Sequence, residues 1–223
     1  MKTSRGTLLP PIPQRMLQID ETTVGEHFSL CAADFCFYVW EYAAGQRFNF
    51  SPTNQLISNL KIKPTQITAT PGRDYYKQQA ISHSAAALRS LIQRSWVEQM
   101  GTFVPMPPSK IAGHEDHDDR IHRLLREALA NYNADIRPLL EQIENTAADH
   151  ESTERLSCAD LRSITRIDEA HAATPPRPNI AVVDDVLNSG KHFKVAQELL
   201  SQRYPGIPVI GIFVARCVHN NVV

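Results

Sequence analysis

Residues 180–192 constrain this chain more than any other stretch. Ile180, Ala181, Val182 and Val183 run without a polar interruption, and Asp184 and Asp185 end the run. Successive strand side chains point to opposite sides, so an unbroken apolar run of this length suits a strand buried on both faces. Val186 and Leu187 follow, then Asn188-Ser189-Gly190 as a loop, then 191–204 with Phe193, Ala196, Leu199 and Leu200 at helical spacing. Pro205-Gly206 turns the chain, and 207–215 is a second apolar strand. Strand, helix and strand make a right-handed unit with parallel strands. The class that follows is α/β: a parallel sheet flanked by helices, containing 102–105, 180–184 and 208–215.

The rest of the chain fits one such domain. Its 223 residues suit a single core. Residues 1–33 are polar and proline-rich at first, and read as an N-terminal arm; 34–223 read as the domain. Within 34–50, Phe37, Val39 and Glu41 alternate with Tyr38, Trp40 and Tyr42, and 43–46 supply a turn. The pattern predicts an aromatic hairpin forming a small N-terminal hood. Ser51 before Pro52 starts a helix carrying Leu56, Ile57 and Leu60. Pro64, Pro71 and Gly72 predict a loop. One long helix is predicted over 75–100, ended by Gly101, and another carries Ile121, Leu124, Leu125, Ala128, Leu129 and Tyr132 with Asp118 as its cap. Residues 134–178 read as a polar, flexible insertion with short helices over 136–143 and 158–167.

Composition narrows the function classes. There are 23 Lys+Arg against 24 Asp+Glu, a formal net charge of -1, so no overall basic footprint indicates nucleic acid. The longest apolar stretch, 207–218, is interrupted by Pro208, Gly211 and Arg216, so no membrane span is expected. Cys31, Cys36, Cys158 and Cys217 form no CxxC pair, and without a secretory signal core they read as reduced thiols of a cytoplasmic protein. No metal site is expected: 114–119 is rich in His, Asp and Glu, but ligands so crowded cannot all converge on one ion, and a solvated loop is the plainer account. Trp40 and Trp96 read as packing residues.

The chemistry is expected at the end of the 180–187 strand. Ligands of open parallel sheets bind beyond the carboxyl ends of the strands. The loop after the acids runs into a helix N-terminus, whose unpaired N–H groups favour a phosphate. Two acids beside an anion site make sense for a sugar phosphate. The acids accept from ribose hydroxyls and the loop holds the 5′-phosphate. Ser189 offers a hydroxyl there, and Gly190 lets backbone approach closely. A Walker loop needs a glycine where Asp185 stands and a Ser or Thr where His192 stands, and no GxGxxG occurs.

The segment from Ile180 to Gly190 resembles the signature of type I phosphoribosyltransferases that binds phosphoribosyl pyrophosphate (PRPP): four hydrophobics, two acids, two aliphatics, then a small-polar glycine loop. The resemblance implies a five-stranded parallel sheet with a small hood, and PRPP bound with Mg²⁺. It implies that Asp184 and Asp185 hold the ribose hydroxyls, and that Val186, Leu187, Asn188, Ser189, Gly190, Lys191 and His192 surround the 5′-phosphate. Two positions depart from the family: Asn188 where Thr, Ser or Ala is usual, and His192 where Thr or Ser is usual. Lys191 and His192 supply charge in place of the missing hydroxyls.

Upstream, Val104-Pro105-Met106-Pro107-Pro108-Ser109-Lys110 is similar to the pyrophosphate loop of the competence-protein-F subgroup, whose N-terminal zinc cysteines are absent here. By that likeness Ser109 binds and Lys110 is catalytic, meeting the charge that develops on departing pyrophosphate. Arg120 and Arg123 are placed to face the same group. Thr146, His150 and Arg155 occupy positions comparable to the subgroup's mobile loop, and Arg155 is taken as substrate-binding. Two functions follow. One is a phosphoribosyltransferase acting on a base or amine, with Asp184, Asp185 and Lys110 as catalytic residues. The other is a non-catalytic PRPP or nucleotide sensor acting through a protein partner or a second copy, in DNA uptake, stress or phage defence.

Overall fold

The computed structural model describes residues 8–146 and 156–219. In chain order its elements are β1 (Leu17–Gln18), β2 (Cys36–Ala43), α1 (Pro52–Leu60), α2 (Pro64–Ala69), α3 (Gly72–Leu91), α4 (Arg94–Gln99), β3 (Gly101–Pro105), α5 (Arg120–Ala128), β4 (Asp135–Ile136), β5 (Leu140–Gln142), α6 (Cys158–Ile164), β6 (Thr165–Ile167), β7 (Asn179–Leu187), α7 (Lys191–Arg203) and β8 (Val209–Val218). Ile180, Ala181, Val182 and Val183 are fully buried, as a two-sided strand requires. Ile180 and Val182 pack with Phe193, Ala196 and Leu200 of α7. Ala181 and Val183 pack on the other face with Leu88, Leu124 and Leu125 of α3 and α5. Each of the larger of these, from Val to Phe, contributes roughly 1.5–3 kcal/mol when fully buried.

The main sheet runs β1-β2-β8-β7-β3-β4. Its pairs are parallel except β1–β2, which is antiparallel. β5 and β6 form a separate antiparallel ribbon. The expected parallel set of 102–105, 180–184 and 208–215 is present, with Val104 opposite Val182 and Val183 opposite Ile212. From β3 the chain crosses through α5 to β4 on one side. From β7 it crosses through α7 to β8 on the other. With right-handed crossovers, opposite directions put α5 and α7 on opposite faces. The carboxyl ends of β3 and β7 therefore border the crevice where the winding reverses.

The hairpin is corrected. β2 forms, but 47–50 do not return beside it: β8 runs along one edge of β2, β1 takes Phe37 and Tyr38 on the other, and the Asn54 side chain bonds both the N–H and the carbonyl of Ala43 where a hairpin would begin. Phe48 and Phe50 are left exposed, and the expected aromatic hairpin is absent among the described residues. The arm is part of the domain. Beyond the β1 pairing, Trp40 Nε1 donates to the Pro11 carbonyl, and Leu9 and Met16 pack on the core.

Five helix expectations also change. Residues 64–69 are helical, starting at Pro64. The helix over 75–100 is two helices, because Ile92 and Gln93 are extended. The break turns Trp96 onto Gly101, where a Cβ would lie 2.2 Å from the indole. Residues 136–143 are not helical. Arg137 N donates to Phe103 O as an extension of the β3–β4 pairing, and Pro138 has no N–H to give a helix. The helix at 158 ends at Ile164, with β6 following. Asp118 does not cap α5; its carboxylate is engaged by Lys77 and Arg120. The Ser51 cap is present, with Oγ accepting from Asn54 N at 3.0 Å. No helix among the described residues is long and apolar enough to cross a membrane.

Candidate functional site

A cleft of about 570 Å³ opens at the carboxyl ends of β3 and β7. It gathers Asp184 through His192 from β7 and α7, and 106–110 from the loop after β3. Ser109, Lys110 and Arg120, read from separate parts of the sequence, line it too. Arg155 and His150 lie outside the described residues.

The acid pair divides its labour. Asp185 shares its side of β7 with Ala181 and Val183, the side covered by α1, α3 and α5. There Arg120 donates to its Oδ2 from Nε at 2.9 Å and Nη2 at 2.6 Å, and Lys61 Nζ stands 3.3 Å from Oδ1. Burial opposes the Asp185 charge, but Lys61 and Arg120 outweigh it and hold the carboxyl well below its usual range. The same carboxylates keep Arg120 firmly protonated against its own burial. Asp184 has a different setting. Its Oδ1 accepts from Asp185 N at 2.7 Å, and among the described residues no cation pairs with it. Burial, and then the neighbouring Asp185 charge, push its carboxyl up to about 7. One acid is thus a buried counterion, and the other faces the cleft near its own titration point. Arg120, expected to meet pyrophosphate, is committed to Asp185 and Asp118.

The loop wall is held from behind. Ser29 N donates to the Ser189 carbonyl at 2.9 Å, and His27 Nδ1 meets the Asn188 carbonyl. Only an Nδ1–H tautomer can donate there. Burial holds the His27 imidazole below its usual pKa, and its Nε2 has no partner among the described residues. Carbonyl and N–H point opposite ways across a trans peptide. Anchoring the carbonyls of 188 and 189 on the arm therefore turns the N–H groups of Ser189 and Gly190 away from it, to the cleft side. Gly190 has φ +87°, and a Cβ there would lie 2.7 Å from Leu30. It stands at the start of α7 with no side-chain cap, which leaves the first-turn N–H groups open to an anion. Val186 and Leu187 line the cleft as well. Both pack into the core on either side of the sheet. Lys191 lines the cleft, with Nζ donating to the Leu156 carbonyl at 2.7 Å, and His192 stands exposed in the first turn of α7.

The third wall is the loop after β3. Met106 N donates to Val183 O at 2.8 Å, which extends the pairing with β7. Thr146 N and Gln142 Nε2 both donate to the Ser109 carbonyl, at 2.9 and 2.8 Å. The loop over 114–119 is a strap with bonded residues in it. His117 Nδ1 bonds the Lys110 carbonyl at 2.8 Å, Asp116 accepts from Thr65 N and Oγ1, and Asp118 holds Lys77. Sequence reasoning missed Lys61, Lys77 and the 27–30 brace. Only Lys77 left a signal, a lysine on the stripe of Ile81, Ser84, Ala85 and Leu88.

The donor set does not make a protein-held magnesium site. Both Asp185 oxygens face cations, and among the described residues no three of His, Cys, Asp and Glu are grouped to hold an ion. No protein-family model matches the chain, and no curated protein matches it in sequence.

Proposed function

We propose that the cleft binds a ribose 5-phosphate group, carried by PRPP with its own Mg²⁺ or by a 5′-nucleotide, and that the chain transfers the phosphoribosyl group to a base or amine. One observation carries this reading. A carboxyl without a cation partner, a loop with its N–H groups turned outward, an uncapped helix N-terminus and Lys110 meet in a single cleft where the sheet reverses its winding. That combination matches a ligand with hydroxyls in its middle and anions at both ends. The parallel order around β3 and β7 also supports a type I phosphoribosyltransferase-like fold.

In such a transfer the C1′–pyrophosphate bond breaks, positive charge spreads over the ribosyl ring, and negative charge grows on the leaving group. The loop and α7 hold the phosphate, Asp184 accepts from a ribose hydroxyl, and Lys110 meets the departing charge. Lys110→Ala should slow pyrophosphate release roughly a hundredfold or more, with a smaller change in PRPP affinity. The assay is pyrophosphate release from PRPP and Mg²⁺ across a panel of purines, pyrimidines and amines. Turnover that survives Lys110→Ala removes that residue's role. No binding of ribose 5-phosphate or PRPP by calorimetry removes the whole reading.

A second reading is a non-catalytic sensor. Asp185 is already neutralised inside the protein, and Asn188 and His192 bring no small hydroxyl to the loop. Clear nucleotide binding with no turnover on any acceptor would favour it.

A further inference from the structure

Lys77 lies outside the cleft lining, in the second turn of α3, and is 1% exposed. Its ammonium has three protons and three acceptors: the Leu60 carbonyl at 3.0 Å, the Ile62 carbonyl at 2.6 Å and Asp118 Oδ2 at 2.7 Å. An apolar side chain of similar length would fill the space but would take this donor from the Leu60 and Ile62 carbonyls and from Asp118. A buried ion pair gives little net stability over apolar packing, because desolvation offsets the attraction. What the ammonium gives is position.

The carbonyls it grips flank Lys61, whose Nζ reaches Asp185 Oδ1. The carboxylate it grips also accepts from Arg120 Nη1 at 2.9 Å, and the rest of that guanidinium turns onto Asp185 Oδ2. One buried group thus fastens two arms that reach opposite oxygens of the same carboxylate. The cluster holds Lys61, Lys77 and Arg120 against Asp118 and Asp185, a surplus of one positive charge that an ionised Asp184 or a bound anion balances.

We propose that Lys77 is a positioning residue of the cleft: it fixes Lys61 and Arg120 on Asp185 and so keeps Asp184 as the carboxyl open to a ligand. The low titration range of Asp185 agrees, since it depends on those two cations. Burial works to lower the Lys77 pKa, Asp118 opposes that, and Arg120 and Arg123 are the like charges that bear on it. The ligand half of the proposal rests on the sugar-phosphate reading; the carboxyl half does not.

The experiment is a carboxyl ¹³C NMR titration of the full chain as wild type, Lys77→Met and Lys77→Met with Asp118→Asn. The double variant removes the carboxylate that the single one leaves with Arg120 alone, so it keeps a folded protein available if Lys77→Met alone unfolds. The Asp185 midpoint should rise by ~1 pH unit or more in either variant, as its cations lose their hold. Ribose 5-phosphate affinity by calorimetry should weaken about tenfold, equivalent to one such pH unit. A role in stability alone would lower the melting temperature and leave the Asp185 midpoint where it is, and that result overturns the proposal. A shifted midpoint with wild-type ribose 5-phosphate affinity overturns it too, because the acid pair would then be indifferent to its anchors. If the wild type does not bind ribose 5-phosphate, the sugar-phosphate reading falls by itself, and the Asp185 midpoint still decides whether Lys77 positions the pair.

Discussion

The two main walls of the cleft are made of different materials. The acid wall is ionic and assembled from afar: Asp185 from β7, Lys61 after α1, Arg120 and Asp118 at the start of α5, and Lys77 from α3. The loop wall is backbone. Its shape comes from Gly190 at φ +87°, and its orientation from two carbonyl bonds to the arm. The first wall takes charge out of play by pairing it internally, and so leaves Asp184 as its open carboxyl. The second keeps its donors in play by binding the carbonyl side of the same peptides. A chain can therefore present both an open carboxyl and open N–H donors in one cleft without the two cancelling.

The largest break in this contrast should come from Arg120→Met. It leaves the buried Asp185 with Lys61 alone and Asp118 with Lys77 alone, and should cost on the order of 3–5 kcal/mol in denaturant unfolding. Amide exchange of 188–190 in the folded protein should stay near wild type. A loss below about 1 kcal/mol would mean that the acid wall is not held by charge.

Asp184→Asn should act mainly through pH. The Asp184 carboxyl titrates near 7 in the fold and near 4 in an unfolded chain. Its protonated form thus favours the fold. That contribution is full below about pH 4 and is lost as pH rises to about 7. Asp185 runs the other way, its contribution present above about pH 4 and lost only in stronger acid. The variant should flatten the decline between pH 4 and 7, and at pH 8 exceed wild-type stability by a few kcal/mol on the order-of-magnitude scale of such shifts. Thermal melts at pH 5 and 8 with equal differences between the two proteins would count against a raised Asp184.

On the loop wall the effects should be smaller. Gly190→Ala forces a Cβ into a left-handed position, at a cost of roughly 1–2 kcal/mol, and pushes Leu30 aside. Phosphate affinity should fall while the Asp184 and Asp185 midpoints hold. His27→Phe removes the donor to the Asn188 carbonyl, worth about 1 kcal/mol, and should speed amide exchange at 188–192. Because His27 is buried neutral with a lowered pKa, its contribution in the wild type is present above about pH 6.5 and fades below it. The variant should lose that dependence; an acid-induced loosening of the loop that persists in it would assign the effect to another group.

The two walls also differ in how far they could be read from sequence. The loop wall's own residues were legible because everything that shapes them is local: the apolar run, the acids, Gly190 and the helix lie within a few residues of one another. Its brace was not. Nothing about His27 or Ser29 says which peptide each will reach some 160 residues away. Asp185 was named as a ribose ligand from its place in the motif, and its two cations were invisible from there. The aromatic alternation of 36–43 announced a strand correctly, yet its partners are β1 and β8, because a period of two reports which faces are buried and says nothing of which edge is taken.

Read by itself, the sequence determined the class, the parallel β3, β7 and β8, and the end of the sheet where a cleft opens. Those follow from periodicity, chain direction and handedness, which act over short stretches. Only the tertiary structure decided which acid is paired and which is open, that Arg120 is held on Asp185 and Asp118, and that Lys77 stands behind both. Ion pairs form wherever folding brings opposite charges within about 4 Å, and that distance carries no trace of separation along the chain.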